Sequence, residues 1–329
     1  MEYRNLGRTG LKISAFGLGC GNFGGIGSSP EFFGKGESEA EAFALMDAAY
    51  DLGVNFFDTA DAYGGGRSET TIGKWLKQKG PGVRDQLIVS SKVFNPVGDG
   101  PNDRGLSRRH VMRQIEASLS RLGVDHLDLY LVHEPDPTTP LEETLRAFDD
   151  LVHQGKVRYV GLSNMPAWLT AKALWICDKL NLYRPEWVQN SYSLLERGDE
   201  KELFPLLRDQ GLGYTPFSPL AGGWLTGKYR RGQTFPEGSR MTLRPDPYTG
   251  FLVDRVYDGL EALAADAAAR GTTMAALALA WSMNDPAVTA PILGPRRPDQ
   301  LQPGVDASQI RLTPEERATI AGYFTGRVA

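Results

Sequence analysis

The sequence predicts an α/β chain folded as a (β/α)8 barrel, and three observations carry that expectation. Eight short apolar runs alternate along the chain with amphipathic helical segments, the rhythm of successive βα units. Polar or ionisable residues stand at the C-terminal ends of successive runs, where barrel enzymes assemble their sites. No composition break or linker divides the 329 residues, so residues 1–329 are read as a single barrel domain.

The runs are Phe16 to Cys20, Val54 to Asp58, Leu87 to Lys92, Leu127 to His133, Val157 to Ser163, Trp187 to Asn190, Gly213 to Phe217 and Val288 to Leu293. A hairpin-like stretch precedes them, Tyr3 to Ser14, with the turn Gly7-Arg8-Thr9-Gly10. Helix starts are marked by Ser38 with Glu41, Thr139 with Glu142 and Thr313 with Glu316, the pattern of a capping box. Pro140 and Pro314 follow the last two caps, and Gly53, Gly123 and Gly155 stand where helices should close. Val111, Ile115, Leu119 and Leu122 repeat at helical spacing and predict one face packed on the sheet. The one long irregular segment, Arg230 to Gly250, carries three prolines and four arginines and follows the seventh run, which in a barrel places it at the active face.

Composition and charge exclude several classes of function. An apolar content of 41% with 23% charged residues is that of a globular chain with a sizeable core. A net charge of −4, with Lys and Arg spread along the chain, provides neither a basic stripe for nucleic acid nor a basic amphipathic helix for a membrane surface. Met1-Glu2-Tyr3-Arg4 lacks the apolar core of a signal, and the longest apolar stretch, around Met274 to Trp281, is too short to span a bilayer, so a cytoplasmic protein is expected. Cys20, Cys177 and four histidines lack metal-ligand spacing, and neither a metal nor a disulfide is expected.

Gly19-Cys20-Gly21-Asn22-Phe23-Gly24 matches the G-x-G-x-x-G of a Rossmann dinucleotide site and follows an apolar run. A Rossmann helix must open inside that motif, whereas Gly25 to Gly36 runs on through Gly, Ser and Pro. The chain also has no Tyr-x-x-x-Lys of the short-chain dehydrogenase kind. The barrel reading is preferred.

Asp58 ends the second run, Lys92 the third and His133 the fourth; Asn164 follows the fifth, and Gln189 lies in the sixth. A charge at a buried strand end must be solvated or paired, so Asp58 and Lys92 are expected to pair. Tyr63 follows Asp58 in Asp61-Ala62-Tyr63-Gly64-Gly65-Gly66, a glycine-rich loop able to fold its hydroxyl over the barrel mouth. A free phenol is a weak acid, pKa about 10, and a neighbouring Lys92 ammonium is expected to lower it. His133 is then placed to hydrogen-bond a substrate oxygen.

Asn55-Phe56-Phe57-Asp58-Thr59-Ala60-Asp61-Ala62-Tyr63-Gly64, Val89-Ser90-Ser91-Lys92, Leu131-Val132-His133 and Gly161-Leu162-Ser163-Asn164 resemble, in order and spacing, the motifs of the aldo-keto reductase superfamily. The resemblance spans nearly the whole chain and is nearest the branch containing potassium-channel β subunits and bacterial aldo-keto reductases. It implies a barrel whose bottom is plugged by the hairpin, a catalytic set of Asp58, Tyr63, Lys92 and His133, and tyrosine as general acid in carbonyl reduction by a reduced nicotinamide. It further implies that Ser163, Asn164 and Gln189 hold the carboxamide and that Phe217 stacks on the nicotinamide. Ser218, Leu220, Gly222, Lys228 and Arg240 would surround the pyrophosphate, and Gly294, Arg296 and Gln300 the adenosine phosphate. Pro303-Gly304 replaces the Glu-Asn that often follows in the family. The charges of Arg230, Arg231, Arg240 and Arg244 suit a phosphate clamp.

Two functions follow from this reading. The first is NADP(H)-dependent reduction of a small-molecule carbonyl, with NAD(H) less favoured because Arg296 and the adjacent Arg297 would meet a 2′-phosphate. The second is a cofactor-binding regulatory subunit acting by docking. The full set of four residues favours the first, as does the absence of an arm ahead of the barrel. The substrate pocket is expected among Phe23, Phe94 and Trp224, with Phe32, Phe33 and Tyr248 nearby.

Overall fold

A computed structural model describes residues 1–325, and in it all eight runs become strands of one parallel sheet. The hairpin strands β1 (Tyr3–Asn5) and β2 (Lys12–Ser14) come first. The sheet strands are β3 (Gly17–Gly19), β4 (Phe56–Asp58), β5 (Ile88–Val93), β6 (Leu127–Val132), β7 (Val157–Ser163), β8 (Trp187–Gln189), β9 (Gly213–Tyr214) and β10 (Ile292–Leu293). They neighbour one another in chain order, with β10 beside β3. Backbone bonds from Thr289 N to Tyr214 O and from Ile292 N to Pro216 O, both 2.8 Å, close the sheet on itself. The fold is the (β/α)8 barrel.

Local signals account for most helix boundaries. Ser38 and Thr313 each complete a reciprocal capping box, with Glu41 and Glu316 respectively. The box expected at Thr139 does not form, because the helix Leu141–His153 starts one residue later, with Pro140 in the cap position. The Asp136 carboxylate takes the Thr139 hydroxyl at 2.8 Å and leaves none for the helix end. Gly53, Gly123 and Gly155 all adopt positive φ just past their helices, as helix stops should. After β3 the chain runs through loop and a short 3₁₀ turn to a helix beginning at Glu39, so the Gly19 to Gly24 motif opens no helix.

Period-two alternation decides what fills the barrel. Phe56, Leu129, Leu131, Trp187, Ala290 and Ile292 share one buried cluster with Leu6 and Ile13 of the hairpin, which seal the bottom. Tyr130, Val132, Val160, Leu162, Val188 and Tyr214, at the alternate positions, pack outward with the helices. Continuing inward positions toward the C-terminal ends brings up Asp58 after Phe56, Lys92 after Ile88 and Ser90, His133 after Leu131, and Gln189 after Trp187. The register that buries the apolar layer therefore stacks a polar layer above it.

The interior is filled by unequal partners. Phe56 and Trp187 meet edge to face, with ring centroids 6.1 Å apart, and glycine stands beside each. A Cβ on Gly17 would lie 2.5 Å from the Phe56 ring, and one on Gly161 would lie 2.2 Å from Trp187 Nε1. Trp187 is fully buried and cannot yield into solvent. Gly161→Ala should therefore destabilise by about 1–3 kcal/mol, as overpacking does. The urea midpoint measures it, and an unchanged midpoint would mean that the indole has room to move.

Candidate active site

The polar layer is organised around a buried ion pair. Lys92 Nζ lies 2.5 Å from Asp58 Oδ2 and donates a second bond to Thr59 O at 2.8 Å. Asp58 Oδ1 accepts from Ser90 Oγ (2.7 Å) and Gln189 Nε2 (3.0 Å), so both carboxylate oxygens are satisfied in a place water hardly reaches. Burial pulls the Lys92 ammonium down, but the Asp58 carboxylate and the Tyr63 phenol outweigh it and hold Lys92 above its ordinary value. The cation is locked on.

Tyr63 opens a 3₁₀ turn, Tyr63–Gly65, whose glycines take positive φ and bring the ring back across the mouth. Lys92 Nζ sits 5.0 Å from the ring centroid, and the His133 ring meets it edge-on at 5.6 Å. The expected lowering of the Tyr63 pKa does not result. Burial pushes the phenol up, the Asp58 carboxylate adds to that, and Lys92 only moderates it. At neutral pH Tyr63 is a protonated donor, not a standing phenolate.

His133 follows β6, its backbone N–H bonded to Val93 O at 3.0 Å. Its Nδ1 faces Asn95 Nδ2 at 3.1 Å, and Asn164 Nδ2 donates to its carbonyl at 2.9 Å. Burial, with Lys92's charge, pushes the imidazole well below its usual pKa, so it is neutral. With the Asn95 amide donating to Nδ1, the single ring proton belongs on Nε2. Asn95 escaped the sequence reading; its position three residues past Lys92 in the same strand-end loop was the available signal.

The remaining expected residues divide. Ser163 Oγ donates to Gln189 O (2.7 Å), and Asn164 adopts φ 54° beside it. Phe217 is half-buried, and Ser218 (φ 55°) and Ala221 (φ 48°) continue a stretch of strained backbone along the same rim. Leu220 leads into the turn Ala221–Thr226, where the Tyr248 ring lies over Gly222 and the Lys228 side chain over Gly223. Arg240 donates to Asn22 Oδ1 at 2.6 Å. Beyond Gly294, Arg296 bonds Glu37 Oε1 through Nε (2.7 Å) and Gly238 O through Nη1 (3.1 Å), while its own N–H is held by Gln300 Oε1 (2.8 Å). Burial, then the charges of Arg240 and Arg296, push the Lys228 ammonium down: several cations share one small region.

Three expectations need correcting. Trp224 is fully buried among Tyr229, Phe235, Phe251 and Tyr257, and Phe23 is buried in the same outer core, so neither presents a face to the opening. Trp224 anchors the long loop from beneath. Phe94 remains half-buried, with Arg104 5.9 Å from its ring. Arg231 does not join the cation cluster, because Asp254, Asp258 and Glu261 of the next helix claim it. The Pro303-Gly304 pair has a packing reason: Pro303 lies in the first turn of the helix Gln302–Gln309, and a Cβ on Gly304 would press Leu293 at 2.6 Å. Among the described residues there is no group of His, Cys, Asp or Glu able to hold a metal, and no helix long and apolar enough to cross a membrane.

Residues 16–323 match the model of the aldo/keto reductase family. The chain belongs to the aldo/keto reductase family. It is 40% identical to the uncharacterized oxidoreductase YrpG of Bacillus subtilis (strain 168), over 99% of this chain and 97% of that protein. It is 39% identical to a protein named as a voltage-gated potassium channel subunit beta from Schizosaccharomyces pombe, over 96% and 91%. Versiconal hemiacetal acetate reductase of Aspergillus parasiticus is 34% identical over 96% and 95%. The chain is thus an oxidoreductase of a family that works with NAD(P)H on small carbonyl compounds.

The neutral state of His133 has a consequence for stability. An unfolded histidine takes up a proton near pH 6.5, whereas buried His133 resists until well below that. As pH falls the unfolded state binds the additional proton, so stability is lost below about pH 6.5 and is intact at about pH 8. His133→Gln should lose less of its denaturation midpoint than wild type between those conditions. Parallel losses would mean that His133 is not the group responsible.

Proposed function

We propose that this aldo/keto reductase reduces an aldehyde or ketone to an alcohol with NADPH, using Tyr63 as general acid. The observation that carries the reading is the coupled network of Asp58, Lys92, Tyr63 and His133 at the C-terminal mouth of the barrel. A bound reduced nicotinamide would supply the hydride for the carbonyl carbon. Tyr63 gives its phenolic proton to the carbonyl oxygen, and the Lys92 ammonium stabilises the negative charge left on the tyrosine oxygen. Asp58 keeps Lys92 charged and fixed. His133, with its proton on Nε2, donates a hydrogen bond to the same oxygen and orients the substrate.

The chain's own residues suit a nicotinamide dinucleotide. Ser163, Asn164 and the free amide oxygen of Gln189 are polar partners for the carboxamide, and Phe217 offers a ring face. Ser218, Leu220, Gly222, Lys228 and Arg240 form a cationic turn for the pyrophosphate. Gly294 has open space above its Cα, and Arg296 and Gln300 flank it for the adenosine end. Arg240 and Arg296 act on the buried carboxylate Glu37 and on Lys228, so three cations share the region with that one acid, an excess of positive charge that favours the extra phosphate of NADPH over NADH.

The channel-subunit relative favours a second reading, a regulatory subunit with little turnover. Steady oxidation of NADPH with a panel of aldehydes separates the two. Tyr63→Phe keeps the ring and removes the proton donor, so reduction should fall by about a hundredfold or more while cofactor binding persists. Turnover within a few-fold of wild type would remove Tyr63 from the role of acid. Arg296→Ala should weaken NADPH binding by about 1.5–3 kcal/mol, with NADH nearly unaffected. Titration by tryptophan fluorescence checks this, and equal losses for both cofactors would mean that Arg296 does not read the phosphate.

A further inference from the structure

The proposed function gives no role to Glu37, a buried acid at the mouth. Glu37 ends the loop between β3 and the helix Glu39–Asp51 and is 3% exposed. Its backbone is pinned at both ends, with its N–H on Asn22 O and its carbonyl accepting from Gly24 N, each at 3.0 Å. The side chain is therefore delivered to a fixed place. Oε1 takes Arg296 Nε at 2.7 Å, while Oε2 is buried with no hydrogen-bond partner among the described residues. A half-satisfied carboxylate in such a place is costly.

What faces Glu37 gives the explanation. Arg296 reaches it from the turn after β10, and Arg240 acts on it from the short helix Arg240–Leu243 of the long loop. The Cys20 thiol, at the end of β3, also lies within range of its charge, and burial holds that thiol protonated. Glu41, on the helix that follows, is exposed and occupied with the Ser38 cap. Glu37 is thus the anion set against the guanidinium assigned to the adenosine phosphate. The Arg296 side chain is 40% exposed, so a phosphate can approach its outer edge while Glu37 grips the inner one.

We propose that Glu37 is a nucleotide-selectivity residue, which competes with the 2′-phosphate of NADPH for Arg296 and so limits the preference for NADPH over NADH. The inference rests on reading Arg296 as the phosphate ligand. Two anions on one guanidinium repel each other across a poorly solvated gap, and the buried Glu37, unable to turn away, bears the cost. NADH brings no second anion to that position and escapes the penalty. Burial pushes the Glu37 carboxyl up despite Arg296, so the repulsion is relieved as pH falls and Glu37 takes a proton.

Glu37→Gln tests this, because the amide oxygen still accepts from Arg296 Nε but carries no charge. Fluorescence titration of the purified protein at about pH 8 should show NADPH binding about fivefold or more tighter than wild type, with NADH changed less than about twofold. The gain should shrink as pH falls, because a proton taken by Glu37 or by the phosphate weakens the repulsion between them. Glu37→Ala should act in the same direction, which guards against a defect peculiar to glutamine. If Arg296→Ala weakens NADPH selectively but both Glu37 variants bind NADPH equally or more weakly than wild type, the competition is wrong and the reading of Arg296 stands. If Arg296→Ala shows no selective loss, that reading fails and this inference falls with it.

Discussion

Lys92 and Asp58 face one another across adjacent strands at a depth where neither charge would persist alone, and the mouth of the barrel is arranged around that constraint. Ser90, Gln189 and the Thr59 carbonyl are spent on satisfying the pair, which fixes three strands and a turn relative to one another. Tyr63 and His133 then take their electrostatic character from it. The Lys92 ammonium moderates the rise in the phenol's pKa and helps keep the imidazole neutral, so one cation favours proton release at one neighbour and proton refusal at the other. Removing either member of such a pair strands a buried charge, which is the expensive way to break it.

Much of this was legible in the sequence because it depends on periodicity and covalent neighbourhood. Eight apolar runs gave eight strands, and Asp58, Lys92 and His133, which close three of those runs, were delivered to the polar layer by the same alternation that packs Phe56 and Trp187 below. What sequence reading missed depends on direction and competition instead. Trp224 lies in an active-face turn, but whether an indole turns up toward the opening or down beneath the loop is decided by Tyr229, Phe251 and Tyr257, brought there by the fold. Thr139 carries a sound capping pattern and loses its hydroxyl to Asp136, a local rival. The phenol's pKa rises because burial, invisible in a string of letters, outweighs a neighbour that is visible. Asn95 and Glu37 carry no motif, and only their partners give them meaning.

Two long excursions from the barrel, residues 20–38 and 230–250, meet over the mouth. Arg240 ties the second to Asn22 of the first, and Arg244 lies 5.9 Å from the Phe32 ring. Arg296 holds both at once, through Glu37 and the Gly238 carbonyl. Arginine suits this task, since its planar fork can serve several acceptors and stack on a ring without losing its charge. These links are electrostatic, whereas Trp224 and its aromatic neighbours give the same long loop an apolar footing.

The hairpin at the other end of the barrel has a quieter effect. Among the described residues, Leu6 and Ile13 stopper the floor, and Phe56, Trp187, Leu129 and Leu131 pack the shaft above it with side chains. Traffic to Tyr63 is therefore one-way in geometry: whatever arrives must leave by the same doorway. In a cul-de-sac, the molecule seated deepest has to enter first and depart last. Such a queue makes the order of arrival and departure a property of the architecture, set by a short hairpin lying at the opposite pole from the chemistry.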